Sequence, residues 1–524
     1  MSSPPDGDGV SMPLLPEIWS HICSFLVKPS LSNLRLTSRQ MNHIALPHLF
    51  RSIRLEGFSG SAERVINIAK SPKLRDLVRE LTIDSWVGPG FEYNANEDYK
   101  IPTDFMDALP YIRCFGKVTT MNLRFNEFCG DDDRDYWRTS IEETWSFRYR
   151  IIDTVCHCIV GMWTKERQES IDNRAGLDEY DPEYPEDDLG VPLEQVMPLK
   201  EFTISNLADY ADPAISSSKA WKKMLSLDSL VNLKLFIASE TESSSPESAV
   251  YFQEKYQFFE DLPNSWLSSP IADSLRVLSL FYCDYWGWFP KFDFRLIGQD
   301  GSPFPQLKVL ALGNYVFSHE WQIDWFTTIG SKNGSGGLEE LYLDDCPILT
   351  RAQQMGPLSG SDPGYPMVEP VMHPFEGSPE KFEYSLRWHQ VLSRWTESMK
   401  ALKVFRMGHG PWHSPPPKDA LMFLEEGDDG GYLVDESTYH RTSYNIHRTF
   451  GGDGISVTEE WRMQYIQYDI GIGPSPWLEA RRKRWFPKED DFVVTETLQS
   501  KDARAYEALF AAINARQQDS RGEL

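Results

Sequence analysis

Positive charge is what this chain is short of: Lys and Arg number 52 against 78 Asp and Glu, a formal balance of −26 with an isoelectric point near 4.9. Such a balance repels a phosphate backbone and an acidic membrane surface, so neither nucleic acid nor membrane is an expected partner. It favours basic partners, although a run of charge ordinarily marks a solvated face. Long apolar runs are missing too. None approaches the roughly 20 residues a bilayer needs, so no transmembrane helix is expected. The seven cysteines, at 23, 114, 129, 156, 158, 283 and 346, give no disulfide framework and suit a reducing intracellular compartment, cytoplasmic or nuclear. Residues 1–10 have no basic start and no apolar core, and read as a disordered N-terminus rather than a signal peptide.

Catalytic signatures are absent as well. There is no HExxH, no P-loop, no GxSxG, and no GxGxxG that follows a strand and opens a helix. Cys156-His157-Cys158 stands in an apolar, helical run with the wrong spacing for zinc, and His440 and His447 lack ligand spacing. Asn333-Gly334-Ser335 is a glycosylation sequon with no use in an intracellular chain. Acidic residues are too numerous for pairing to single out a general acid and base. The expectation is a protein that is not an enzyme and holds neither metal nor cofactor.

What is present begins with three short helices in residues 12–55. Pro16 suits a first helical turn, and Ile18, Ile22 and Leu26 repeat at four-residue spacing, with Trp19 and Phe25 widening the stripe. Pro29 breaks that helix, and Ser30 can cap a second one carrying Leu31, Leu34 and Leu36. A third, through Met41 and Ile44, ends before Pro47. About 40 residues bury too little surface to stand alone. The segment must lean on the following domain, on a partner, or on both.

This segment resembles an F-box, whose pattern is matched here by Leu15, Pro16, Glu17, Ile18, Ile22, Leu26, Leu31, Leu34, Leu36, Ser38 and Arg39. It departs mildly at Met41, where Trp is frequent, and at Ser38, often Cys. The wording RLTSR followed by IALPHLFRSIRL resembles fungal F-box proteins in particular, and the likeness covers about 45 of 524 residues. It implies a Skp-family adaptor as partner and, through it, a cullin scaffold. The implied contact set is Leu15, Pro16, Ile18, Ile22, Leu26, Leu31, Leu34, Leu36, Arg39, Met41 and Ile44. A face of roughly 800 Å2 at about 25 cal/mol per Å2 leaves ample driving force after association costs.

Downstream, an apolar-x-x-apolar-x-apolar pattern recurs nine times, starting at Phe50, Val78, Val118, Leu199, Leu230, Leu275, Leu307, Leu338 and Leu402. The clearest neighbours are 31 or 32 residues apart, and Asn126, Cys283 or Cys346 follow eight residues after the first apolar position. The pattern resembles leucine-rich repeats, which use Asn or Cys there to bond backbone at the turn. The expected fold class is therefore α/β: a three-helix F-box module (11–49), then an irregular leucine-rich-repeat solenoid with a parallel sheet (50–410). Residues between the leucines would point away from the core, and Lys234, Phe236, Phe281, Tyr342, Asp344 and Arg406 are the candidate face for an unknown protein substrate. For any one of them, plain solvated surface is the simpler expectation.

Three stretches interrupt the repeats: an acidic, mobile loop at 131–190 with DDDRD and DEYDPEYPEDD, a Ser/Glu-rich turn at 240–250, and a Gly/Pro/Ser mixture at 351–380. In the C-terminal extension (411–524), Pro415–Pro417 and the acidic run 425–429 precede a closing edge strand between Tyr465 and Trp477. Arg481–Arg484 reads as a solvated helix end before a nuclear localisation signal. A last amphipathic helix places Tyr506, Leu509, Phe510 and Ile513 on one face, suited to capping the final repeat. Taken together, these features imply a substrate-recognition adaptor of a Skp–cullin–F-box ubiquitin ligase. The other reading is an F-box protein that acts outside ubiquitination.

Overall fold

The computed structural model describes residues 14–57, 60–85, 103–125, 129–130, 143–174, 184–185, 189–192, 194–238, 253–298, 303–332, 336–354, 358, 364–366, 380–408, 462–469, 477–479 and 492–522. The expectations for residues 1–10, DDDRD, most of DEYDPEYPEDD, 240–250, most of 351–380, 415–417, 425–429 and 481–484 lie outside them. So do Asn126, Asn333, His440 and His447.

Each of the nine recurring apolar segments forms a strand. They are β1 (Ser52–Glu56), β2 (Glu80–Asp84) and β3 (Thr120–Arg124), then, after a separate short pair β4 (Cys129–Gly130) and β5 (Glu143–Thr144), β6 (Glu201–Ala208), β7 (Asn232–Ala238), β8 (Val277–Trp286), β9 (Val309–Tyr315) and β10 (Glu340–Asp344). The ninth is β13 (Val404–Gly408), which follows β11 (Ile348–Gln354) and β12 (Glu380–Glu383). The nine lie side by side in chain order as one parallel sheet of an α/β fold, and the strands expected to pair at 275–281, 307–313 and 338–344 are neighbours.

The register follows from the apolar spacing. Leu233, Leu278, Leu310 and Leu341 stand in one row, and Leu235, Leu280, Leu312 and Leu343 in the next, because period-two alternation sends both rows to the same face. A one-residue slip would turn every leucine out, so the pattern fixes the pairing. Helices such as Ser61–Lys70, Trp145–Ile159, Glu320–Lys332 and Trp388–Ser398 return the chain between strands and close over these rows in one continuous core.

Asn206 (φ 60°) in β6, Asn314 (φ 59°) in β9 and Asp345 (φ 46°) just after β10 have left-handed backbone, the first two at irregularities in strand register. Asn is the side chain that best tolerates this region. The Asn206 amide donates to the Phe125 carbonyl at 2.8 Å, and that of Asn314 to the Tyr282 carbonyl at 2.7 Å. Cys346 stands where the repeat pattern places a backbone-bonding residue, with Sγ 3.4 Å from the Leu312 carbonyl oxygen.

The expectations for the acidic interruption and for the closing strand need correction. The interruption at 131–190 is not all loop: Trp145–Ile159 and Lys165–Arg174 are helices, and Ile151, Val155, Cys156 and Ile159 are buried in the common core. Arg150 and Asp172 form a buried ion pair there, and the Tyr184 hydroxyl donates to Asp172 at 2.8 Å, fastening the middle of the acidic run to the body. Tyr465–Asp469 (β14) is not a closing edge strand. It lies between β11 and β15 (Trp477–Glu479) in a second sheet of order β12-β11-β14-β15, with all five of its residues buried. Its alternation hides a second apolar cluster built on Trp288, Tyr384, Ile466 and Tyr468.

The last helix (Glu496–Gly522) packs Leu509 and Ile513 into the core, with Tyr506 and Phe510 against Phe405 of β13. Among the described residues, no helix is long and apolar enough to cross a membrane.

Candidate functional site

The N-terminal segment folds as α1 (Pro16–Cys23), α2 (Lys28–Arg35) and α3 (Arg39–Leu49). Pro16 occupies the first position of α1, and the Ser38 hydroxyl caps α3 by accepting the Met41 N–H at 3.1 Å. Two boundaries differ from the expectation. Pro29 sits in the first turn of α2, where its missing N–H costs nothing, so Ser30 is inside the helix and caps nothing. Pro47 is tolerated in the last turns of α3, which runs on to Leu49.

Cys23, Leu31 and Ala45 are the buried centre of the three helices, edged by Leu26, Leu34, Ile44 and Leu49. The Ser20 hydroxyl and the His48 ring, 2.9 Å apart, tie α1 to α3. Lys28 joins the module to the sheet by donating to the Ser52 carbonyl at 2.8 Å, and burial pulls its ammonium pKa down.

Those contacts sort the eleven candidate residues. Leu31 is only 3% exposed, so it is corrected from a partner contact to the module's own core. Ile22, Leu26, Leu34, Met41 and Ile44 are half-buried. Pro16 and Arg39 are exposed, as are Leu15 (66%), Ile18 (46%) and Leu36 (75%). Phe25, absent from the candidate set, is 75% exposed and packs only edge-on against His21 at 4.9 Å. Among the described residues eight large hydrophobic side chains are exposed, and five of them (Leu14, Leu15, Ile18, Phe25 and Leu36) belong to this module.

The candidate substrate face fares differently. Lys234, Phe236, Phe281, Tyr342 and Asp344 do lie on the side of the sheet opposite the leucine rows, but all five are buried, and only Arg406 is exposed. Phe236, Phe281, Ala311 and Tyr342 form an apolar cluster of their own. Phe281 faces Gly313 on the next strand, where a Cβ would fall 1.9 Å from its ring, so the glycine makes room for the phenyl group. The Lys234 ammonium is 2.7 Å from Glu201. Towards the N-terminus the same side changes character: Arg54 pairs with Glu56 at 3.1 Å and with Asp84, and Arg124 approaches Asp84 at 3.7 Å. The face is thus buried at its apolar cluster, while Glu80, Thr82, Asn122 and Arg124 on the same side are half-buried.

Cys156-His157-Cys158 is a packed stretch of the helix Trp145–Ile159. Burial pushes both thiols far up, and the His157 ring bonds the Asp153 carbonyl at 2.8 Å. Among the described residues no group of three or more His, Cys, Asp or Glu could hold a metal ion. The sequence reading also misses a cavity of about 160 Å3 beside that helix, walled by Trp145, Tyr149, Tyr210 and Trp266 with Asp212 among them. Its residues come from three separate segments, within 145–152, 207–221 and 257–266, a juxtaposition no local pattern announces. Compared with known proteins, the chain matches no family model and no curated protein.

Proposed function

We propose that the protein is a substrate-recognition adaptor of a Skp–cullin–F-box ubiquitin ligase, with its N-terminal module seated on a Skp-family adaptor. The observation that carries this reading is the crowding of exposed Leu15, Ile18, Phe25 and Leu36 onto the small N-terminal module, while the described residues of the body hide nearly all their large apolar groups. Exposed apolar surface of this kind marks a binding face. The F-box resemblance supplies the partner's identity. Of the implied contact set, Leu15, Pro16, Ile18, Leu36 and Arg39 are presented to a partner, and Phe25 joins them.

The body supports the repeat half of the reading. Nine strands in chain order, each with a helix or loop return, suit a leucine-rich-repeat solenoid. A protein target would then engage surfaces other than that buried cluster, and Arg406 on the last strand of the main sheet is the one candidate residue open to it. No cofactor is needed, because the reactive thioester belongs to a separate conjugating enzyme.

Replacing Leu15 and Pro16 together by Ala should abolish capture of a recombinant Skp-family adaptor while the melting curve of the body stays in place. A loss of 2.8 kcal/mol would weaken affinity about a hundredfold. Wild-type protein that captures no adaptor overturns the assignment. Target ubiquitination in a reconstituted ligase separates this reading from adaptor binding that serves another assembly.

A further inference from the structure

The cavity beside the helix Trp145–Ile159 lies at the far end of β6, and its walls are aromatic. Trp145 and Tyr210 have ring centroids 4.6 Å apart at 43°, Trp145 and Tyr149 meet edge-on at 6.1 Å, and Trp221 and Trp266 meet edge-on at 5.3 Å. Rings set at such different angles present electron-rich faces around one space, the arrangement that attracts a cation. One further lining group is a carboxylate. Asp212 is half-buried, and its two oxygens accept the N–H groups of Ala214 (2.7 Å) and Ile215 (3.1 Å). A second, Asp261, stands exposed on the lining.

The cations nearby are already engaged. Arg148 donates to the Asn206 carbonyl at 2.6 Å and lies over the Phe125 ring at 5.2 Å. Arg174 donates to the Tyr149 hydroxyl at 2.6 Å and lies over that same ring. An anionic occupant would meet Asp212 and Asp261. A neutral apolar one would make no use of the Asp212 carboxylate. A compact organic cation satisfies both the rings and the carboxylate.

We propose that this cavity binds an alkylammonium group, held by cation–π contact with Trp145 and Tyr210 and paired with Asp212. The group could belong to a methylated lysine of a protein or to a small quaternary amine. The inference does not rest on the adaptor reading, since no residue of the N-terminal module takes part. Burial raises the Asp212 pKa to about 6, with the Ala214 and Ile215 N–H groups and Arg174 pulling it down and Asp153 pushing it up, while Arg148, Tyr149 and Asp261 line the same cavity. Binding should therefore strengthen as pH rises from 5 to 7 and the carboxylate ionises.

The test is a titration of the full chain, read by tryptophan fluorescence and calorimetry, with choline and its uncharged isostere 3,3-dimethylbutan-1-ol. Choline should bind about tenfold more tightly than the isostere, and Asp212→Asn or Trp145→Leu should each remove about that advantage. A trimethyllysine peptide, run beside its unmodified form, identifies the source. A peptide bound more tightly than choline assigns a protein side chain, and the reverse order assigns a small amine. Equal binding of choline and isostere, or no binding of choline and peptide alike, overturns the proposal. The wild-type comparison stands even if a variant fails to fold.

Discussion

The three N-terminal helices and the nine-stranded body carry apolar residues at similar density and dispose of them in opposite ways. In the body, leucine rows stack strand on strand under a cover of helices, and even the opposite face closes through Phe236, Phe281 and Tyr342. In the module, only Cys23, Leu31 and Ala45 find cover, while Leu15, Phe25 and Leu36 stand in solvent. Size accounts for the difference. Three helices of 8 to 11 residues have too little interior to hide their own apolar stripe, whereas each strand of the body inherits an interior from its neighbour. Apolar surface left by that shortage is surface a partner can use.

The comparison breaks most readily at the buried cluster of that opposite face. Phe281→Ala should lower the stability of the body by about 3–5 kcal/mol, the cost of truncating a buried phenyl group. An unchanged denaturation midpoint would show the face to be open after all. Within the module, Leu31→Ala should cost about 2–5 kcal/mol, read as lost amide-exchange protection over residues 16–49. Leu36→Ala should leave protection within about 0.5 kcal/mol while weakening adaptor capture. Equal effects of the two would erase the distinction between core and docking surface.

A smaller effect tests whether the acidic interruption belongs to the body. Tyr184→Phe removes the bond to Asp172 and should cost about 1 kcal/mol in thermal or urea unfolding. A pH-dependent effect concerns Asp212, whose folded pKa of about 6 lies above the ordinary carboxylate value of 3.8. Between those values the unfolded chain has released the proton and the folded chain still holds it, so stability falls as pH rises from about 4 to 6 and levels off above. Asp212→Asn should lack that slope in a melting series over the same range.

How much of this was legible depended on whether a side chain's surroundings were local. All nine strands could be read because period-two spacing is written within six residues, and the 31- and 32-residue intervals ordered the clearest of them. What covers the second face could not be read. Lys234 and Phe281 alternate with leucines just as exposed residues would, and their burial depends on partners such as Glu201 and Gly313 on neighbouring strands. In the module the opposite limit applied: Leu31 and Leu36 belong to one apolar run, and only three-dimensional packing separates the buried from the exposed. The cavity was out of reach, since Trp145, Asp212 and Trp266 share no motif. Asn206 and Asn314 were missed by a single position, because their left-handed turn comes one residue before the site where the repeat pattern places Cys346.

The parallel pairing of β11 with β14 also sets a schedule for synthesis. Every strand of the main sheet up to β10 leaves the ribosome with its earlier neighbour already made, whereas β11 waits for a partner more than a hundred residues downstream. At about 5–20 residues per second that interval lasts roughly 5–20 s. During it Ile348, Leu349 and Ala352 lack the strand that later covers them, on an edge with unmet backbone bonds. The nascent chain is therefore most open to mispairing late in translation, after its main sheet is nearly complete, and a chaperone that helps this protein has its task there.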